Sequence, residues 1–184
     1  MRYATVADLA AHLQIPDAAD DAILETALLA AEGQVDAWCR RTFDPVDPDE
    51  DPTVTRTFRP DSRWLDVGDV VQVDTVTVDT VTVEDFTLWP YNADQASRPF
   101  QTIVFDRHPS GEVQVTGWFG WPATPPEVVQ ATILQAARLA QRRNAQFGVA
   151  VVPGMDGTGM RLLAKLDADV ELLLAPYRAQ PVLI

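Results

Sequence analysis

The residues that could carry acid–base or nucleophilic chemistry are few and scattered in this sequence. It has two histidines, His12 and His108, and one cysteine, Cys39. Neither histidine lies near a serine or cysteine in a nucleophile motif, and a single cysteine within a helical pattern is typical of a small core hydrophobe. The carboxylates cluster in linkers and at helix starts, where capping and solubility explain them, although an acid–base pair among them stays open. The sequence therefore predicts no catalytic residues and no enzyme.

Two segments suggest binding loops but lack the residues that such loops need. Residues 44–52 combine three prolines with a dense set of acids. A calcium loop of the EF-hand type needs a central glycine and a terminal bidentate glutamate, and this segment has neither. Residues 154–159 are rich in glycine but lack the Gly-Lys-Ser/Thr ending of a phosphate loop. We therefore expect no metal and no cofactor, and we interpret residues 44–52 as an exposed acidic linker.

Aromatic and aliphatic residues are better candidates for a binding role. Trp118, Phe119 and Trp121 form an aromatic cluster that could bind a sugar or a partner. Alternatively, they end a strand and cover the helix that begins at Pro125. The sequence closes on an apolar segment, which has little reason to be apolar if it only contacts water. The candidate partner-binding residues are Trp118, Phe119, Trp121, Phe147, Val149, Pro181, Val182, Leu183 and Ile184.

The charge balance excludes several classes of function. The net charge is −13, and basic residues are grouped only at 40–41 and at 138–143. Such a surface repels nucleic acids and anionic lipids. It either keeps the protein soluble or lets DNA pass without sticking, and both interpretations stay open. No apolar run is long enough for a bilayer span or a signal peptide, so we expect folding in a cytosol and no membrane partner.

Capping patterns and apolar stripes predict about four helices. Thr5 and Asp8 form a capping box at the first helix start, and Asp17 caps a second helix over residues 18–41. Its apolar stripe consists of Leu24, Leu28, Ala31, Val35 and Trp38. Thr124 caps a third helix over 125–143, with Pro125 at the first helical position. The glycines of residues 148–159 predict a flexible loop. Asp167 is predicted to cap a short final helix. We expect the second and third helices to pack together.

The middle of the chain is typical of β structure. Residues 53–120 contain about six short strands rich in Val, Thr and aromatic residues. Val76 and Val78 share one face, whereas Val81 and Val83 have the opposite parity, so Asp79-Thr80 marks a turn or bulge. The predicted fold is α+β, with a helical body at 1–43 and 122–178, an antiparallel β-rich insertion at 53–121, and a tail at 179–184. At 184 residues we expect one domain.

Three separated stretches resemble head–tail connector (adaptor) proteins of tailed phages. The first comprises residues 3–9 (YATVADL), 20–24 (DDAIL) and 35–43 (VDAWCRRTF). The second is 117–122 (GWFGWP) leading into 125–143, and the third comprises 147–150 (FGVA), 166–170 (LDADV) and 174–178 (LAPYR). They span nearly the whole chain in the family's order. The β segment resembles the long insertion of the actinobacterial-phage branch, with one departure at Thr80, where a glycine is expected.

The resemblance implies a structural function without catalysis. Adaptors of this family form a homo-oligomeric ring, here expected to be twelvefold, beneath the portal protein. The ring extends the channel through which the genome DNA passes without specific binding, and presents a surface to the next tail-proximal connector or stopper protein. The expected location is the neck of the virion, after assembly in the host bacterial cytoplasm.

Two functions from other classes compete with this interpretation. One is a small cell-wall or carbohydrate-active enzyme that uses carboxylates and the aromatic cluster. The other is a monomeric binding module carried on the β insertion. The mass of the purified protein separates them, because a ring subunit forms large assemblies or joins its portal and an enzyme has no need to do so.

Overall fold

The computed structural model describes residues 3–15, 20–143, 149–150, 160–161 and 166–179. The chain divides into two compact units, one comprising Met1–Thr42 and Pro125–Ile184 and the other Phe43–Thr124. The first contains the four described α-helices, and the second contains seven β-strands and a 3-10 helix at Asp94–Ala96. The predicted α+β fold, with its β-rich region between the second and third helices, is confirmed. The single-domain organisation stays a prediction.

The helical unit is built from four described α-helices. They are α1 (Val6–Leu13), α2 (Asp21–Cys39), α3 (Pro126–Arg143) and α4 (Ala168–Leu174), and α4 runs on into a 3-10 turn at Ala175–Tyr177. The predicted capping box of α1 is confirmed. The Thr5 hydroxyl accepts from the Asp8 amide at 3.2 Å, and the Asp8 carboxylate accepts from the Thr5 amide at 2.9 Å. The hydrogen bond from the Thr5 side chain is the main cause that lowers the pKa of Asp8.

The start of α2 differs from the predicted one. The α-helix begins at Asp21, with Asp20 in the N-cap position but without a side-chain capping bond. Asp17, the predicted cap, lies outside the described residues. At the other end the helix stops at Cys39, because Arg40 adopts the left-handed conformation with φ 56°.

The predicted cap of α3 is wrong by one residue. The helix begins at Pro126, and the Pro125 carbonyl accepts from the amides of Val128 at 3.0 Å and Val129 at 3.1 Å. Thr124 does not serve as the cap, because its hydroxyl donates to the Phe43 carbonyl at 3.1 Å. The Thr124 hydroxyl, which the local pattern predicted to cap the helix, thus hydrogen-bonds to a carbonyl far away in sequence. At the last helix, the Asp167 cap is confirmed, since its carboxylate accepts from the Asp169 amide at 3.1 Å.

Helices α1, α2 and α3 share one hydrophobic core, which confirms that the second and third helices pack together. Its buried members are Ala4, Leu9, Leu24, Ala27, Leu28, Ala31, Ile133, Ala136 and Ala137. Many are alanines, which let helix backbones approach closely. Polar contacts fix the arrangement: buried Glu32 accepts from the Tyr3 amide at 3.2 Å, and the Gln135 side chain donates to Gln34 at 2.6 Å.

The β-rich unit consists of two antiparallel sheets. The strands are β1 (Val54–Phe58), β2 (Trp64–Val70), β3 (Gln72–Val78), β4 (Val81–Thr82), β5 (Phe86–Trp89), β6 (Phe100–Phe105) and β7 (Val113–Trp118). One sheet has the order β1-β7-β3-β4 and the other β2-β6-β5. Both contribute to one core, whose buried members are Leu65, Val67, Val70, Val76, Ile103, Phe105, Val113 and Val115.

A third, two-stranded sheet pairs β8 (Val149–Ala150) with β9 (Met160–Arg161). These strands lie at the ends of the segment that the sequence predicted to be a flexible loop. Residues 151–159, between them, lie outside the described residues, so the flexibility of that loop stays a prediction.

The turn predicted at Asp79-Thr80 is confirmed and explains the parity switch of the valines. Thr77 pairs with Thr82 and Val78 with Val81, so residues 79–80 form a two-residue hairpin. Both have positive φ, 47° for Asp79 and 71° for Thr80, as a type I′ turn requires. Asp79 is also held from outside the hairpin, because its carboxylate accepts from the Glu112 amide at 2.9 Å. Thr80 is strained in this turn, because β-branched residues rarely adopt a positive φ.

Replacing Thr80 with glycine is expected to stabilise the protein by about 1 kcal/mol, because it removes the left-handed penalty of a residue with a Cβ. Urea denaturation measures the change in the free energy of unfolding. The matched control is Thr82→Gly, at an exposed position in the adjoining β4, which is expected to cost about 0.5–1 kcal/mol. Equal destabilisation by both substitutions would show that Thr80 is not strained.

Candidate assembly surfaces

The aromatic cluster predicted to bind a partner lies at the end of β7, within the β-rich unit. Trp121 is only 2% exposed, and its ring centre lies 5.1 Å from that of Phe43. Its indole nitrogen donates to the Asp69 carboxylate at 3.1 Å. Trp118 is half-buried, and its indole nitrogen donates to the Asp51 carbonyl at 2.7 Å. The two indole N–H groups therefore hydrogen-bond the end of β7 to the segments that contain Asp51 and Asp69, within the same unit.

Phe119 and Gly120, at the same end of β7, also lie close to other segments of the β-rich unit. The guanidinium carbon of Arg56 lies 4.0 Å from the centre of the Phe119 ring, a cation–π contact. Gly120 has φ +156°, and a Cβ there would lie 2.4 Å from a Val46 methyl carbon and 2.7 Å from the Asp44 carbonyl oxygen. Only glycine allows this approach without displacing its neighbours. A partner-binding role for the three aromatic residues stays a prediction, and their observed contacts are internal.

The acidic segment at 44–52 is largely exposed, as expected, and it contains a hydrogen-bonded turn. The Asp47 amide donates to the Asp51 carboxylate at 2.8 Å, and the Asp49 amide donates to the Asp47 carboxylate at 2.9 Å. These carboxylates accept from backbone amides, as in an Asx-turn. Across the described parts of the chain, no group of three or more His, Cys, Asp or Glu side chains is placed to hold a metal ion.

The other predicted site residues lie largely outside the described part of the chain. Phe147, Pro181, Val182, Leu183 and Ile184 are outside it, and Val149 is described only by its backbone in β8. The last described residue before the apolar segment is Ala179. Its amide donates to the Cys39 carbonyl at 2.8 Å, which places Ala179 at the C-terminal end of α2.

Sequence reasoning missed an exposed aromatic cluster on the outer face of the β2-β6-β5 sheet. Trp64, Trp89 and Tyr91 are 48%, 41% and 60% exposed. Ring centres lie 6.5 Å apart for Trp64 and Trp89 and 4.8 Å apart for Trp89 and Tyr91, both edge to face. The available signal was strand parity, because Trp64 alternates with buried Leu65. A contiguous exposed aromatic surface of this kind is typical of an interaction site.

The negative charge is concentrated in the β-rich unit. Residues 43–124 contain fifteen acids and five arginines, so this unit carries −10 of the total −13. The rest of the chain is nearly balanced, with twelve acids and nine basic residues. Charge complementarity steers association. The β-rich unit is therefore the part that most strongly repels DNA phosphates and attracts basic surfaces.

The two histidines and the cysteine do not lie together in a site: each belongs to a different part of the fold. His12 lies in the last turn of α1, and His108 is exposed in a loop of the β-rich unit. Cys39 has no exposed surface, which confirms its expected role as a core hydrophobe. Burial is the main cause that raises the pKa of its thiol to about 11. The raised pKa leaves little of the Cys39 thiol as the reactive thiolate at neutral pH.

The Cys39 thiol is expected to react with an aromatic disulfide at pH 8 at least about 100-fold more slowly in the native protein than in urea, because only the thiolate attacks. The unfolded thiol ionises near its ordinary pKa of 9.0 and the folded thiol only near 11. Its contribution to stability is therefore complete below pH 9.0 and is lost as the pH rises through about 11. Equal rates in both states would show that the thiol is accessible.

Comparisons with known proteins identify a similar fold but no family. No protein-family model matches the chain, and no curated protein matches it. A solved chain from the neck of an empty gene transfer agent (GTA) particle, computed with C6 symmetry, has a TM-score of 0.52 and 20% identity. The match covers 97% of this chain and 90% of the other. This chain therefore shares its fold with a neck subunit over nearly its whole length.

A second solved chain, from the virion of the native gene transfer agent, has a TM-score of 0.49 and 22% identity over the same shares of the two chains. Among the described helices, none is long and apolar enough to cross a bilayer.

Proposed function

We propose that this chain is a structural subunit of a phage neck, and specifically a head-to-tail connector (adaptor) that forms a ring beneath the portal. The observation that carries the proposal is the shared fold with a neck chain, which extends over 97% of this chain and 90% of that one. Coverage of this extent includes both the helical unit and the β-rich unit. The resemblance to adaptor sequences, which extends over the same length, supports the same function. The long β insertion supports assignment to the actinobacterial-phage branch.

A ring subunit must contact its neighbour through two different faces. Such a heterologous interface closes into a ring when the rotation between subunits divides a full turn. We propose a twelvefold ring of identical subunits, which is compatible with sixfold symmetry of a whole neck. The portal on one side and a tail-proximal connector or stopper protein on the other are the proposed partners. The virion neck is the proposed location, after assembly in the host cytoplasm.

The charge distribution supports a channel through which DNA moves. A basic wall would bind phosphates and release counterions, which retains DNA, whereas an acidic wall avoids this binding. The net charge of −13 suits a surface that DNA passes without specific contact.

A binding module on the β-rich unit is the second candidate function. The exposed cluster of Trp64, Trp89 and Tyr91 favours it, because single domains seldom leave three neighbouring aromatic rings open to water without a ligand. In the connector proposal the same cluster serves as part of the attachment surface for the tail-proximal protein. The two candidates thus differ in whether the subunit assembles with its own copies.

The mass of the purified full-length protein tests the proposal. Sedimentation or native mass spectrometry, with and without the purified portal, is expected to show closed multiples of the 20.3 kDa chain. Assemblies that appear only with the portal support the proposal as well, since docking can nucleate the ring. A monomer under both conditions would contradict it and favour the binding module.

A further inference from the structure

A pocket with both aliphatic and polar side chains in its lining lies at one end of the helical unit and is not filled by the described residues around it. It is lined by Leu13, Ile15, Asp20, Ile23, Leu24, Ala140 and Gln141, and its volume is about 260 Å³. The end of α1, the start of α2 and the end of α3 meet there. Water fills about 30 Å³ per molecule, so several waters would otherwise contact this aliphatic wall, which is unfavourable. An apolar segment from elsewhere would replace that water.

Ala179, the last described residue before the chain's own apolar segment, lies at the opposite end of the unit. Two contacts fix the path that leads to it: Asp167, at the start of α4, lies 3.4 Å from Arg138, and the Tyr177 hydroxyl donates to Glu127 at 2.8 Å. Since Glu127 is in the first turn of α3 and Arg138 near its end, the chain runs away from the pocket along α3. The amide of Ala179 then binds the carbonyl of Cys39, at the far end of α2.

The backbone of residues 181–184 cannot reach the pocket of its own subunit from that point. Along α2, Cys39 and Leu24 are separated by about 22 Å, at a rise of about 1.5 Å per residue. The five residues that follow Ala179, up to Ile184, extend the backbone by at most about 18 Å. Leu183 reaches still less far. The limit applies to these residues whatever follows them in the chain.

We propose that residues 181–184 of one subunit occupy this pocket in the next subunit of the ring. The inference rests on the proposed function and specifies its subunit contact. Val182, Leu183 and Ile184 match the aliphatic part of the lining, and residues 172–184 contain no acid that the Asp20 carboxylate would repel. Because the donated segment and the pocket lie at opposite ends of the helical unit, the contact is heterologous. Each subunit gives one segment and receives one, as a ring requires.

A disulfide trap in the full-length chain tests this contact. Ile23→Cys places a thiol in the pocket and Leu183→Cys places one on the segment, while the buried Cys39 has no exposed surface to compete. Mild oxidation of assembled rings is expected to give a ladder of covalently linked subunits up to the closed ring. The matched control pairs Leu183→Cys with Leu172→Cys, which is 76% exposed on α4 but outside the pocket, and should give no ladder.

Mixing the two single variants distinguishes contact between subunits from contact within one. Ile23→Cys subunits mixed with Leu183→Cys subunits should yield disulfide-linked dimers and no larger linked species. Each subunit carries one introduced thiol, so a dimer has none left to react. Oxidised monomers without free thiols in the double variant would show docking within one subunit and overturn the inference. Rings whose thiols stay free, or link only to the portal, would overturn it as well. In those cases the connector proposal stands, whereas a wild-type chain that never assembles overturns the connector proposal itself.

Discussion

Replacing Leu28 with alanine is expected to lower the free energy of unfolding by about 2–5 kcal/mol, because it leaves a cavity in the helical core. Leu28 has no exposed surface and lies in the core shared by α1, α2 and α3. Several of its core neighbours, including Ala27, Ala31 and Ala136, are alanines with little side chain to fill the space. Ile133→Ala, at 9% exposure on α3, should show an effect of the same kind.

The neighbouring leucine gives a matched control for this prediction. Leu29 is in the same helix but is 55% exposed, and Leu29→Ala should change stability by no more than about 0.5 kcal/mol. Denaturant titration followed by tryptophan fluorescence measures both variants. If Leu28→Ala were no more destabilising than Leu29→Ala, the packing of α2 against α3 would not be the main body of the fold.

Removing residues 181–184 is expected to abolish joining to portal-bearing heads while leaving the thermal midpoint nearly unchanged. The contact of Ala179 with Cys39 precedes the deleted segment and remains in place. The three aliphatic residues that are lost supply contact area for a neighbour or for the portal, and no compensating contact is created. In vitro complementation of heads that lack the protein measures the effect.

A variant of equal length separates side-chain chemistry from chain length. Replacing Val182, Leu183 and Ile184 with serine should block joining as fully as the deletion does, because burial of apolar surface drives the contact. Normal joining by either variant would contradict a partner role for the segment. A monomer that unfolds after the deletion would instead show that the segment belongs to the core.

Local patterns in the sequence predicted the helices well, because their determinants lie within a few residues of one another. Thr5 and Asp8 are three positions apart and form the predicted capping box. On α2, Leu24, Leu28 and Val35 were placed on one stripe, and all three are buried. The position of the β-hairpin turn followed from parity alone, since a two-residue connection changes the sequence parity of the valines that share one face.

Features that depend on distant residues could not be derived from local patterns. Thr124 was expected to cap a helix. Its hydroxyl instead donates a hydrogen bond to the carbonyl of Phe43, which is 81 positions away in sequence. Strand β1 pairs with β7 and not with a neighbour in sequence. Trp64 and Trp89 come together only because β2 and β5 both pair with β6. Pairing register of this kind is set by long-range packing, which a single sequence does not specify.

Electron microscopy of the purified protein with its purified portal would show whether the chain is a connector. We expect a closed ring, twelvefold and coaxial with the portal, with an open bore that continues the portal channel. Trp64→Ser/Trp89→Ser/Tyr91→Ser, on the outer face of the β-rich unit, should leave this ring intact if that cluster serves the tail-proximal protein. Single subunits scattered beside bare portals would contradict the proposal that this chain is a connector.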